Sequence, residues 1–101
     1  MSLPDSPILN ELSQLILQLE KQAKDYSGDT SRGITDALYL VVTKRISKRN
    51  YEPPLSAYLT QLIKDIESAE WEHSEVCYAN DSAKNTFKQL KLFMVQKLAR
   101  A

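Results

Sequence analysis

The chain can form no disulfide within itself, because Cys77 is its one cysteine. That points to a reducing, intracellular compartment, cytoplasmic or nuclear. Glycine occurs twice, at Gly28 and Gly33, and proline four times. A fold of many tight β-turns needs glycine at positive-φ positions, so long helical runs are the natural reading. No apolar run approaches the about 18–20 residues that span a bilayer. The N-terminus has no basic segment followed by an apolar one, so no secretory signal is expected. An excess of basic charge is missing too, since 13 Lys and Arg balance 13 Asp and Glu. A dedicated DNA-binding domain takes much of its affinity from phosphate neutralisation, so a neutral chain lowers that prospect and leaves only local patches.

What is present suits one globular domain spanning residues 1–101, with residues 1–5 expected to be flexible. Apolar residues make up 43% and charged residues 26%, ordinary values that argue against disorder of the whole chain. The first helix is marked by Ser6 at the cap, Pro7 at the first helical position, and apolar residues at 8, 9, 12, 15, 16, 19 and 23. Ser27-Gly28-Asp29-Thr30 breaks the pattern, with Gly28 suited to close the helix. A second helix is expected from Thr30 or Ser31 to about Arg49, on the stripe Ile34, Ala37, Leu38, Val41, Val42 and Ile46. The β-branched run 41–43 raises a strand alternative, but its flanks do not alternate.

Pro53-Pro54 is a firm stop. A third helix is expected from about Pro54 to Ala69, a short fourth from Trp71 to Ala79, and a last one from the capping residues Asn80-Asp81-Ser82 to about Ala99. Its stripe is Ala83, Phe87, Leu90, Met94 and Leu98. Short joints favour antiparallel neighbours. The fold class is therefore all-α, a small antiparallel four- to five-helix bundle.

Chemistry-bearing constellations are few. Glu70, His73, Cys77 and Asp81 fall on one face of an unbroken helix, and His73 with Cys77 could chelate a soft divalent ion. No second Cys or His exists to complete an ordinary zinc site. A solvated His73 on an acidic face, with Cys77 filling an apolar gap, is the simpler reading. There is no Gly-rich phosphate loop or nucleophile elbow, and adjacent turns of one helix rarely give Cys77 and His73 a pocket and oxyanion donors. No catalytic residue, cofactor or small-molecule substrate is expected, and the chain reads as non-enzymatic.

Charge is distributed unevenly. Lys44, Arg45, Lys48 and Arg49 close the second helix. Residues 65 to 81 hold six acids and no Lys or Arg, and from Lys84 onward there are five basic residues and no acid. Lys84, Lys88 and Lys91 form a stripe beside the apolar face of the last helix. Helix-end chemistry explains part of this. Side by side, the two basic groups would make a surface for RNA phosphates, with Tyr39, Tyr51 and Phe93 as nearby aromatics. Charge-complementary docking to a partner protein is the third reading. Trp71, the one tryptophan, is either buried at a helix junction or an exposed interface anchor. Leu40, Leu92 and Val95 lie off the main stripes and raise the same question, since a bundle this small cannot bury every apolar residue.

From Lys44 to Leu98 the layout resembles the helical domain that closes the steroid receptor RNA activator protein and the large COPII outer-coat subunit. The residues that carry this are the Pro53-Pro54 joint, Leu59, Leu62 and Ile66, the aromatic at Trp71, and Lys97-Leu98. The chain departs from that pattern at Ser74, Val76 and Cys77 and again at Leu92, Phe93 and Met94, and no functional residue carries over. The resemblance implies a five-helix assembly module without enzymatic activity. The sequence reading is thus an adaptor-like module that binds another protein or a second copy of itself. Lys44, Arg45, Lys48, Arg49, Trp71, Lys84, Lys88 and Lys91 are its candidate contact residues. An RNA-binding or ribonucleoprotein-assembly domain is the first alternative. A small regulatory or toxin-like protein with a metal at His73 and Cys77 is the second.

Overall fold

The computed structural model describes residues 6–76 and 80–100. Among these, all regular structure is helical: α1 (Pro7–Asp25), α2 (Gly28–Leu38), α3 (Leu55–Val76) and α4 (Asp81–Leu98), with a π-helical turn at Tyr39–Thr43 and a 3-10 turn at Ile46–Lys48. The expected flexibility of residues 1–5 concerns residues outside those described.

Helix α1 follows its stripe closely. Ser6 is extended, Pro7 opens the helix, and Leu9, Leu12, Ile16, Leu19 and Ala23 are buried. Ser6 caps through its carbonyl, which accepts from the Asn10 N–H at 2.8 Å, and its hydroxyl makes no cap bond. Gly28 does not close α1. Tyr26 leaves that helix in extended conformation, and Gly28, at φ +66°, is the first residue of α2. The reversal between the two helices needs a left-handed residue at the entry to α2, which glycine adopts without steric cost. The Ser31 hydroxyl then donates to the Ala23 carbonyl at 2.6 Å and ties α2 to the end of α1.

The second helix does not run to Arg49. Its α-helical part ends at Leu38, the π turn follows, and Ile46 reaches the core only after a break at Lys44 and Arg45. Geometry explains the break. At 100° per residue an uninterrupted helix would aim Ile46 about 180° away from Ala37, yet both are buried. Val41-Val42-Thr43, a run of poor helix formers, is where the helix yields. The Leu40 carbonyl, in the π-helical turn, accepts from Arg45 Nη1 at 2.8 Å.

The expected third and fourth helices are one through Val76. Nothing between Leu55 and Val76 is Gly or Pro, and the buried series Leu59, Leu62, Ile66, Ala69, His73 keeps spacings of three and four. The remainder of the expected short helix, residues 77–79, lies outside the described residues. Tyr58 is also buried, edge-on to Tyr51 with centroids 5.0 Å apart.

Helix α4 starts where capping chemistry placed it. Asn80 Oδ1 accepts from the Ala83 N–H at 3.0 Å, and Asn80 Nδ2 donates to the Asp29 carbonyl at 3.0 Å. One side chain thus caps α4 and pins it to the start of α2. Gly33 lies directly beneath: a Cβ there would sit 2.7 Å from Asn80 Cγ and 2.9 Å from the Ala83 nitrogen. Helix α2 occupies the middle, with α1 and α4 packed on it and α3 packed on α4 and the π turn. Leu9, Leu12, Leu19, Val41, Leu59, Leu62, Ile66, Phe87, Leu90 and Met94 fill the core between them. No described helix is long and apolar enough to cross a membrane.

Candidate interaction surfaces

The basic and acidic segments of the sequence meet inside the molecule. Arg45 Nη2 lies 3.0 Å from Glu72 Oε1, and Lys44 Nζ lies 3.4 Å from Glu72 Oε2. Arg49 grips Asp65 with two bonds, Nε to Oδ2 at 2.6 Å and Nη2 to Oδ1 at 2.7 Å. Lys91 Nζ reaches Glu70 Oε1 at 2.8 Å, and Lys97 pairs with Glu11 of α1. The Glu72 carboxyl is held below its ordinary value, chiefly by its hydrogen bond from Arg45 and then by that from Lys44. The Arg49 guanidinium is held above its ordinary value, chiefly by its hydrogen bond to Asp65.

Helix geometry keeps the two basic clusters apart. Glu70 and Glu72 are two residues apart on α3, so they project about 160° from one another. Glu70 takes Lys91 of α4 on one flank, while Glu72 takes Lys44 and Arg45 on the other. The clusters lie on opposite flanks of α3, and the condition for a merged phosphate-binding surface is not met. Of the three aromatics near them, only Tyr39 stands out into solvent, with Lys44 Nζ 6.0 Å from its ring centroid. Tyr51 packs on Tyr58, and Phe93 lies half-buried under Lys97, 5.5 Å from its ring centroid.

An open cleft of about 520 Å³ lies between the 3-10 turn and the first half of α3. Lys44, Arg45, Lys48 and Arg49 line it together with Glu52, Tyr58, Gln61 and Asp65. Two of its four cations are already held by Glu72 and Asp65 within bonds of 3.0 Å or less, and Lys44 makes the longer contact to Glu72. Burial raises the Tyr58 hydroxyl above its ordinary value.

His73 is not solvated on an acidic face. It is buried and packs edge-on against Phe87 of α4, centroids 5.8 Å apart. Its i+4 spacing from Ala69 puts it on the core stripe, and Glu70 turns aside to Lys91. Cys77 lies outside the described residues, and among those described no three His, Cys, Asp or Glu side chains converge on a metal position.

The apolar residues divide. Leu40 is buried, whereas Leu92 and Val95 are each 48% exposed. Trp71 is 66% exposed, the most open of the large apolar side chains described, on the outer face of α3 toward its C-terminal end. Glu67 and Glu75, one turn to either side, are exposed as well. On α4 the outer face is Lys84, Lys88, Leu92 and Val95, all exposed. The complementary character of these two faces could not be read without knowing which residues turn outward. Comparison of the chain with protein-family models, with curated proteins and with solved structures finds no match.

Proposed function

We propose that this chain is a non-enzymatic protein-interaction module, an antiparallel helical bundle serving the assembly of a larger intracellular complex. It docks through the outer face of α3 around Trp71. The exposure of Trp71 carries the reading. Burying an indole in a partner's pocket recovers about 2 kcal/mol or more of hydrophobic free energy, and tryptophan is among the residues most enriched at binding hot spots. Its flanking acids, Glu67 and Glu75, suit a partner surface with basic residues around an apolar centre.

The charge arrangement supports a protein partner over phosphate. Lys44, Arg45, Arg49 and Lys91 each have a carboxylate within 3.4 Å. A nucleic-acid backbone would have to displace those carboxylates before releasing its own counterions. The resemblance to the helical domain of the steroid receptor RNA activator protein and the COPII outer-coat subunit implies the same kind of module.

Affinity purification with the intact chain and with Trp71→Ala tests this, followed by reconstitution with the purified captured protein. The substitution is expected to weaken that complex by about 30-fold or more. Equal binding by both forms would contradict the proposal. Salt-sensitive retention on RNA, lost when Lys44, Arg45, Lys48 and Arg49 are neutralised, would replace it with the RNA reading.

A further inference from the structure

We infer that the partner seated on the Trp71 face is a second copy of this chain. Two copies would associate about a two-fold axis, with α3 of each lying on α4 of the other. This rests on Trp71 being the docking anchor and names what docks there.

The two outer faces have opposite chemistry. On α3, Glu67, Trp71 and Glu75 are spaced four residues apart and all are exposed. On α4, Lys84, Lys88 and Leu92 repeat the same spacing, and Val95 extends the face. An acidic rim around an apolar centre thus stands beside a basic stripe leading into an apolar end. Within one chain the two stripes cannot meet. Taking the buried residues Ile66 and Leu90 as inward, Trp71 points about 140° and Leu92 about 160° away from the core. The pair Glu70–Lys91 shows how the helices lie. Glu70 sits about 40° from Ile66 and Lys91 about 100° from Leu90, in the same rotational sense on each helix, so α3 and α4 stand side by side with both outer faces turned the same way.

The register completes the case. Glu70 lies against Lys91 and His73 against Phe87, so residue numbers rise along α3 as they fall along α4. Trp71 is therefore level with residues near 89 and 90, and Glu75 with those near 85 and 86. A two-fold axis parallel to the helices keeps every residue at its own level. It sets α3 of one copy over the partner's α4 without any shift along the helices. Trp71 then falls between the partner's Lys88 and the partner's Leu92, and Glu75 between the partner's Lys84 and the partner's Lys88. The symmetry makes each contact twice. Glu67, level with residues 93 and 94, falls beside the partner's Leu92 and the partner's Val95, so the charge match rests on Glu75 and the apolar match on Trp71 against the partner's Leu92. Isologous pairing requires a surface complementary to itself, and the layer meets that requirement at these two positions.

Sedimentation of the intact chain over a rising concentration series tests the assignment. The wild type is expected to sediment as a dimer, with the emission of its one tryptophan shifting to the blue as dimer forms. Trp71→Ala, counted twice by symmetry, should raise the dimer dissociation constant about a thousandfold. Lys84→Glu/Lys88→Glu sets acid against acid, and Glu75→Lys sets base against base. Each of these charge variants alone should be monomeric, and an equimolar mixture should dimerise again. All of these residues are exposed, so the helicity of each variant, and its melting temperature at concentrations where the wild type is also monomeric, should stay at wild-type values. A wild-type chain that stays monomeric into the millimolar range overturns the inference, as does a dimer indifferent to all three substitutions. If that monomer still loses a different protein on Trp71→Ala, the docking role of Trp71 stands and only the self-pairing falls. If Trp71→Ala changes no association of any kind, both fall.

Discussion

Gly33→Ala is a severe test of how the helices are held, because helix propensity and tertiary packing pull in opposite directions. Alanine is favoured over glycine in a helix interior by about 1 kcal/mol, so a reading confined to α2 has the variant stabilised. Packing opposes this. The added methyl would lie 2.7 Å from Asn80 Cγ and 2.9 Å from the Ala83 nitrogen. The latter is backbone and cannot rotate aside. Either Asn80 swings away, losing both its cap on Ala83 and its bond to Asp29, or α4 backs off from α2. The lost cap costs about 1 kcal/mol and the lost bridge about 1 more, while the overpacking itself is worth about 1–3. Against the propensity gain, the net is a destabilisation of about 2–4 kcal/mol, or a fall in melting temperature of roughly 10–20 °C for a chain of this size.

Thermal and urea unfolding followed by circular dichroism measure it. Asn80→Ala, which removes cap and bridge with no clash, should cost about 1–2 kcal/mol. In the double variant the two penalties should fail to add, because Gly33→Ala already forfeits the bonds of Asn80. A Gly33→Ala chain as stable as wild type, or more so, would refute the close approach of α4 to α2.

Glu72 gives a pH dependence of definite sign. Its carboxyl is held below the ordinary value of 4.5, so it binds fewer protons in the folded chain than in the unfolded one. Its contribution to stability is fully present above that value and is lost as the pH falls below it. Glu72→Gln should flatten the acid limb of a stability-versus-pH curve, and an unchanged limb would show that Lys44 and Arg45 do not act on it. Arg49→Ala should cost about 1 kcal/mol in urea unfolding, because the pair with Asp65 is two-pronged and partly screened. Arg49→Lys should recover less than half of that, since an ammonium cannot fork onto both oxygens; full recovery would show that charge alone matters. His73→Asp should destabilise by about 3 kcal/mol or more, because it sets an unpaired carboxylate against Phe87 in the core. A chain that tolerates the aspartate would return His73 to the surface.

Local signals carried much of the fold. Ser6-Pro7 and the 3-4-7 spacing give the start and the buried face of α1, though not its end, Pro53-Pro54 marks the gap before α3, and Asn80 is the cap its residue type suggests. The break at 39–48 has one signal in the sequence: Ile46 sits on the opposite side of a regular helix from Ala37, although both are apolar. The run from Leu59 through Ala69 to His73 likewise held the signal for one continuous helix and an inward histidine. Gly33 has no local signature, since its reason for being glycine is a side chain 47 positions away.

The candidate surface divides in the same way. The charge asymmetry was plain, but its destination depended on long-range pairs such as Arg49–Asp65 and Lys91–Glu70, which no periodicity reveals. Trp71 stood open between burial and exposure until the neighbouring stripe showed which way α3 turns it.

The emission spectrum of Trp71 tests the central claim most directly, because no other tryptophan contributes. In a dilute chain, below any association, the account requires red-shifted emission readily quenched by acrylamide, moving to the blue and out of the quencher's reach as the chain docks. Blue, unquenched emission from the dilute monomer would mean that Trp71 belongs to the core, and the docking face proposed on α3 would not exist.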